Sequence, residues 1–293
     1  MESSAGGSEQ LVVSFAGIQA RLSSRTFGAS GMAIFAIADL HLSLSAPDKD
    51  MAIFGAAWEG YQEKIRHQWC HSVGPDDLVL VAGDICWAMK FEQALTDLAW
   101  IHDLPGTKIL LRGNHDYWWS SMSKMKKLLP PSLHLLHNNA FTWGSIGICG
   151  ARLWDTDEFS FLEHVVVSGP KAPPQMPTEE QRLEQTKIFQ REVQRLDLSL
   201  KALPKEVSAK IAMTHYPPVG PQLQPTAVSR LLDQAHVDTC VFGHLHSMQP
   251  DAIRFGAVGK TEYRFVAADA VDFAPQLIVP AALGPLKEWV AAG

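Results

Sequence analysis

Short apolar runs that stop abruptly at polar residues organise this chain. Ala33–Ala38 reads A-I-F-A-I-A and stops at Asp39. Leu78–Ala82 stops at Gly83-Asp84, and Lys108–Leu111 stops at Arg112-Gly113-Asn114-His115-Asp116. Ala209–Met213 ends at Thr214-His215, and Thr239–Phe242 ends at Gly243-His244-Leu245-His246. Such runs are too short for helices and predict strands buried on both faces. Leu133–Leu136, Phe141–Trp143 and Ile146–Cys149 predict further strands, with a turn at Gly144-Ser145, and the tail from Ile253 to Val271 reads as two more.

Elsewhere the apolar spacing changes to three and four. Phe54, Trp58, Tyr61 and Ile65 predict a helix over 50–70. Helices are also predicted at Phe91–His102, at Tyr117–Leu129 (stopped by Pro130-Pro131) and at Thr226–Gln234. Arg152–Thr178 reads as loop, with Pro170, Pro173, Pro174 and Pro177. Thr178 followed by Glu179 and Glu180 opens a strong helical pattern that runs to Leu203, as a capped N-terminus should. The stretch of about 152–208 reads as a helical insertion packed on one domain. Alternating strands and helices, with strands returning at the end, predict a layered α/β or α/β/β/α arrangement. Each polar cluster directly follows a strand, so all of them are expected at one cleft at the strands' carboxyl ends.

Length and composition narrow the classes. The 293 residues suit one large domain, expected over 32–293. Residues 1–31, rich in Ser, Gly and Ala, read as a flexible N-terminal extension. They lack the apolar segment of a secretory signal, and their Arg21 and Arg25 with few acids suit an organelle transit peptide equally well. The net charge is −6, with 25 Lys+Arg against 31 Asp+Glu and no long basic run, which disfavours a stable nucleic acid partner. Cys70, Cys86, Cys149 and Cys240 form no C-x-x-C pair, and buried thiols in a reducing cytoplasm are expected. No apolar run approaches the ~20 residues of a membrane span.

The polar clusters carry metal chemistry. Asp39-Leu40-His41, Gly83-Asp84, Gly113-Asn114-His115-Asp116, His215 and Gly243-His244-Leu245-His246 offer carboxylates, an amide oxygen and five imidazoles. Mixed oxygen and nitrogen donors suit Mn²⁺, Fe²⁺ and Zn²⁺, and the lack of a thiolate argues against structural zinc. In D-x-H and G-H-x-H, residues i and i+2 can face one ion. Asp84 has two oxygens and can bridge two.

The ordered set D-x-H, G-D, G-N-H-D, H, G-H-x-H resembles the calcineurin-like metallophosphoesterase superfamily from about Met32 to His246. The run L-R-G-N-H-D-Y-W-W at 111–119, the helical insertion and T-H-Y-P-P at 214–218 look like a bacterial group of predicted phosphohydrolases. The resemblance implies a four-layer α/β/β/α metallophosphoesterase sandwich with a helical insertion. It implies a phosphodiester or phosphomonoester hydrolase with two divalent metal ions, Mn²⁺ first, Fe or Zn²⁺ next. Asp39, His41, Asp84 and His246 would hold one metal. Asp84, Asn114, His215 and His244 would hold the other, with Asp84 bridging. Two cations clamp a phosphoryl group and acidify a bridging water, whose hydroxide attacks phosphorus in line. His115 would stabilise the transition state or protonate the leaving oxygen. Arg112 and Asn114 are candidate substrate-binding residues, Arg112 as a bidentate phosphate clamp.

This chain departs from the family pattern at one position. Many members have an acid three residues after the G-D aspartate, which orients the catalytic histidine, and here that residue is Trp87. Either Asp116 orients His115 instead, or nothing does. The missing G-D-x-x-D-R-G run argues against the Ser/Thr protein phosphatase branch. One rival is a pyrophosphatase acting on a nucleotide- or lipid-linked substrate, although the lipid-precursor enzymes usually carry arginine where His115 stands. Another is a non-catalytic scaffold, which would typically have lost a ligand or that histidine. Tyr117, Trp118 and Trp119 could rim the cleft and stack a base or ring, although residues that open a helix are more often core. Gly259-Lys260-Thr261 is not a phosphate loop, because Arg254 stands where its first glycine is needed.

Overall fold

Strand β1 (Ile34–Ile37) is buried along its whole length and pairs in parallel with β2 (Leu78–Ala82). The parallel pairing continues to β3 (Thr107–Leu111) and β4 (Leu133–Leu136). A last strand, β11 (Gln276–Val279), closes the other edge antiparallel to β1, giving the order β11-β1-β2-β3-β4. The second sheet contains β5 (Phe141–Trp143), β6 (Ile146–Ala151), β7 (Ala209–Thr214), β8 (Thr239–Phe242), β9 (Ala257–Val258) and β10 (Thr261–Phe265). Its order is β5-β6-β7-β8-β10-β9, with β6, β7, β8 and β10 parallel. The structure, a computed structural model, describes residues 32–165, 178–249, 253 and 255–281. The N-terminal extension and the four prolines of the 152–178 loop lie outside the described residues.

Alternation along each strand explains the layers. Ile34, Ala36, Leu80, Ile109 and Leu136 of the first sheet meet Phe141, Trp143, Ile148, Ile211, Met213 and Val241 of the second in one buried cluster. The opposite face of the first sheet (Phe35, Ile37, Val79, Val81, Leu110) is covered by α1 (Tyr61–Ser72), α2 (Phe91–His102) and α3 (Met122–Leu128). The far face of the second sheet (Ala212, Cys240, Phe242) is covered by α4 (Glu179–Lys201) and α5 (Ala227–Gln234). The result is α/β/β/α. Each fully buried aliphatic side chain stabilises these layers by about 1.5–3 kcal/mol. Helix α4 starts at a capping box between Thr178 and Gln181 and buries Leu196, with Phe189 and Val193 packed against the same cluster. Leu183 and Leu198 are exposed.

Two expected elements differ, and the two strands expected in the tail are present. Over 50–70 the chain makes two 3₁₀ turns, Met51–Phe54 and Ala56–Trp58, before α1 begins. Gly55 and Gly60 interrupt it at positive φ, 130° and 62°, and Phe54 is exposed. Tyr117–Trp119 forms a turn, closed by Trp119 N–H donating to the Asp116 carbonyl, and α3 starts only after the Ser121 cap. In the tail, β9 and β10 are followed by a 3₁₀ turn, Ala268–Val271, and then by the edge strand β11.

Lys108 is the polar exception inside β3. It is fully buried, and its ammonium donates to the carbonyls of Leu104 and His102. Burial pushes its pKa down from 10.5 to about 8. The unfolded chain therefore binds more protons between those values, and folding stability gains a contribution as pH rises from about 8 to 10.5. Lys108→Met should lose that contribution. Urea unfolding at pH 7.5, 9 and 10.5 should show wild type gaining on the variant at high pH.

Candidate metal centre

The parallel strands deliver their polar ends to one place. Asp39 and His41 leave β1, Asp84 leaves β2, Asn114 and His115 leave β3, His215 leaves β7, and His244 and His246 leave β8. Backbone bonds carry the β1–β2 pairing beyond the strands: Asp39 N–H donates to the Gly83 carbonyl and His41 N–H to that of Asp84, both at 2.9 Å. The sheets are stitched at the same level, with Ala38 N–H on the Val266 carbonyl at 2.8 Å. Asp39, His41, Asp84 and His244 all lie at positive φ, 60°, 43°, 51° and 74°. Such strained conformations cost about 1–3 kcal/mol each and concentrate at functional sites.

Two glycines make room for the carboxylates. A Cβ on Gly113 would lie 2.0 Å from Asp84 Oδ1, and one on Gly243 would lie 2.1 Å from Asp39 Oδ2. Only glycine permits these approaches.

Each carboxylate has one oxygen fixed and one turned into the site. Asp84 Oδ1 accepts from the His115 N–H at 2.8 Å, and Asp39 Oδ2 accepts from the His244 N–H at 2.9 Å. The other oxygens face imidazoles. Asp84 Oδ2 lies 3.5 Å from His41 Nε2 and 3.4 Å from His215 Nε2. Asp39 Oδ1 lies 3.6 Å from His246 Nε2, and His41 Nε2 faces His246 Nε2 at 3.1 Å. Asn114 Oδ1 lies 2.7 Å from His215 Nε2 and 3.0 Å from His244 Nδ1. Asp39, His41 and His246 form one candidate metal-binding group, and Asp39, Asp84 and His215 form another. Asp39 Oδ1 is buried with no hydrogen-bond partner. An uncompensated anionic oxygen is costly, and a cation would satisfy it.

Second contacts fix the tautomers. His215 Nδ1 donates to the Ala82 carbonyl at 3.0 Å, which leaves its Nε2 lone pair for the site. His246 Nδ1 donates to Asp269 Oδ1 at 3.1 Å, again leaving Nε2 free. Asp269 Oδ2 also accepts from the Ser247 N–H at 3.1 Å. Reading the sequence did not single out Asp269, because it lies beyond the last motif, in the turn after β10. Removing such a partner typically costs 10–100-fold in metal affinity. Asp269→Ala is therefore expected to weaken metal binding by about tenfold or more, as read by Mn²⁺ titration calorimetry.

Without metal, the site is tuned by burial and its own charges. Burial raises the Asp39 carboxyl to about 7, against the pull of His246 and His215. Burial would raise Asp84 too, but His215 and His41 hold it below the usual carboxylate range. Burial opposes a proton on His215, yet Asp84 and Asp39 raise it to about 9. On His246 burial likewise opposes the proton, and Asp269 and Asp39 raise it to about 8. His244 is pushed down to about 3 by burial and by His215. Metal binding must displace the protons held on His215 and His246.

The remaining candidates sort by position. The His115 ring lies beside the cluster, 4.6 Å from the Trp87 ring and 5.6 Å from that of His41. Its Nδ1 has no hydrogen-bond partner, and burial lowers its pKa. Trp87 also stacks on His41 at 4.9 Å. The expected orientation of His115 by Asp116 has no hydrogen bond behind it among the described residues. Asp116 is fully buried and accepts from the N–H groups of Ile85, Cys86 and Gly113 and from Trp118 Nε1. It ties the loop after β2 to the loop after β3. Trp118 and Trp119 are in the core, while Tyr117 is half exposed with its ring edge-on to His115 at 6.1 Å. Arg112 is half-buried and makes no ion pair with the metal cluster.

The calcineurin-like phosphoesterase family model matches residues 32–248. The chain belongs to that family of metal-dependent phosphoesterases. Similar solved structures include a protein of unknown function from Aquifex aeolicus, 14% identical with a TM-score of 0.44, covering 84% of this chain and 95% of that one. Phosphopantetheinyl hydrolase from Mycobacterium tuberculosis is 15% identical, with a TM-score of 0.44 and 82% and 90% coverage. A calcineurin-like phosphoesterase from Bacillus subtilis is 16% identical, with a TM-score of 0.42 and 82% and 81% coverage. None of the curated proteins matches this sequence. No described helix is long and apolar enough to cross a membrane.

Proposed function

We propose that this chain hydrolyses a small phosphoric ester, a phosphodiester in preference to a monoester, using two divalent ions with Mn²⁺ favoured over Fe and Zn²⁺. The observation that carries this reading is Asp84 Oδ2, which lies between His41 Nε2 at 3.5 Å and His215 Nε2 at 3.4 Å. One oxygen shared by two groups of N and O donors is what a bridging ligand requires. Asp39, His41, Asp84 and His246 would hold the first ion. Asp84, Asn114, His215 and His244 would hold the second. When bound, such a pair neutralises phosphoryl oxygens and lowers the pKa of a water.

The protein's own part is positioning. The backbone N–H groups of His115 and His244 each fix one carboxylate, and Ala82 and Asp269 fix two imidazoles. His115 faces the substrate and gives a hydrogen bond to the phosphoryl group or a proton to the leaving oxygen. Asp116 acts at one remove, holding the loops that carry Asp84 and His115. Trp87 replaces a polar partner by packing against both the His41 and His115 rings. Cys86, Cys149 and Cys240 are buried as expected and Cys70 is exposed; free thiols fit a reducing, cytoplasmic setting.

The test is turnover of bis-p-nitrophenyl phosphate and p-nitrophenyl phosphate by chelator-stripped protein before and after adding Mn²⁺. Mn²⁺-dependent hydrolysis, faster on the diester, is expected. Equal turnover with chelator present would refute the metal-dependent reading.

A further inference from the structure

Three arginines line one cleft near the loop that carries Asn114, and two of them pair with a single buried carboxylate. Arg112 follows β3, Arg152 follows β6 and Arg195 projects from α4, and they line one cleft with His137 and Glu192. Glu192 is 1% exposed, and its Oε1 accepts from Arg152 Nη2 at 3.2 Å and from Arg195 Nη1 at 2.8 Å. The Arg152 pair ties α4 to the end of β6, the Arg195 pair lies within α4, and together they account for those two arginines. It does not account for Arg112, which has no ion pair or hydrogen bond among the described residues. The Nε atoms of Arg112 and Arg152 are both buried without a partner.

The charge does not balance. Three cations face Glu192, and the other acid acting on Arg112 is Asp116, whose oxygens already accept four donors. Partly buried, unneutralised guanidinium groups with free donors are costly, and an oxyanion offers the planar forks the acceptors they lack. The cleft encloses about 290 Å³ with its open mouth included, which suits an anion at the mouth with one oxygen toward the arginines.

The cleft adjoins the metal centre on two sides. Arg112 is two residues from Asn114, which keeps their Cα atoms within about 7 Å. The Arg152 carbonyl accepts the N–H groups of His215 at 3.1 Å and Tyr216 at 3.0 Å. The Arg152 guanidinium lies 4.5 Å from the Trp154 ring, which leans on Tyr216 at 5.0 Å, and Tyr216 packs on His244 at 3.9 Å. A substrate bound at the metals can thus reach the arginines.

We propose that this arginine cleft is an anion subsite that takes a second phosphoryl group of the substrate. The inference rests on the hydrolase reading and narrows it to esters carrying two separated anionic groups. The test uses Mn²⁺-loaded full-length protein and calorimetric titration with α,ω-alkanediphosphonates, from propane to hexane, against propylphosphonate. At least one diphosphonate should bind about tenfold or more tightly than the monophosphonate, the scale of an added charge-assisted contact. Arg112→Gln and Arg195→Gln should each remove most of that advantage. Arg195 is 31% exposed and glutamine there keeps a donor for Glu192, and a thermal melt of each variant checks that the fold is retained. The subsite is overturned if no linker length gives an advantage, or if both variants keep it. Ester turnover, measured in parallel, separates the two ideas. Absent turnover with an arginine-dependent diphosphonate advantage would remove the hydrolase reading and keep the anion site, and the reverse pattern would remove the subsite alone.

Discussion

Asp84→Ala should lose metal and activity together. Asp84 Oδ1 is held by the His115 N–H, and Oδ2 is the atom shared between the His41 and His215 sides of the site. Without the carboxylate, two sets of imidazoles lose their common anion. Disturbing a group that only supports a ligand costs 10–100-fold in metal affinity, so loss of the bridging ligand should exceed about 100-fold. The alanine variant should therefore purify with little metal, and added Mn²⁺ should restore little turnover. Full occupancy of two metals in Asp84→Ala would refute the bridging assignment. Gly113 adds a linked expectation: alanine there collides with Asp84 Oδ1 and N, so Gly113→Ala should resemble a weakened Asp84 variant.

His115→Ala should act in the opposite manner, leaving two metals bound and lowering turnover by about 10²-fold or more, the usual scale of general acid catalysis. No metal contact is assigned to His115. Its ring stands beside the cluster against Trp87 and His41, with an unpartnered Nδ1. The loss should be larger for alkyl esters, whose alkoxide needs a proton, than for p-nitrophenyl esters, whose leaving group does not. A uniform loss across leaving groups would assign His115 to phosphoryl stabilisation instead. Unchanged turnover would remove it from catalysis.

Much of the architecture was legible because its strands are buried on both faces. Ala33–Ala38, Leu78–Ala82 and Thr239–Phe242 are continuous apolar runs, and each ends at the residue where the chain leaves the sheet. Local signals also located α2, α4 and α5. What escaped depends on contacts distant in sequence. Strand β11 is a half-exposed edge whose partner, β1, lies more than two hundred residues earlier. The delayed start of α3 is a local matter: Ser121 caps the helix after the Tyr117–Trp119 turn, a signal that the apolar spacing masked. The glycines at 55 and 60 did carry a local signal against one long helix, but the three-and-four spacing of Phe54, Trp58, Tyr61 and Ile65 masked it.

The site divides along the same line. Its inner residues occupy compact motifs at strand ends and could be read directly. Their supports could not. Asp269 is a lone aspartate until the fold brings it to His246 Nδ1. Trp87 reads as the absence of an expected acid, and only the ring geometry reveals its packing against two histidines. Glu192 looks like one acid among many on a charged helix, until burial beneath two arginines distinguishes it.

The most direct test is metal stoichiometry. Chelator-stripped protein, reloaded with Mn²⁺ and freed of excess, should retain two equivalents by mass spectrometry, with hydrolysis appearing as the second site fills. One equivalent or none, or full activity at a single equivalent, would contradict a paired centre bridged by Asp84.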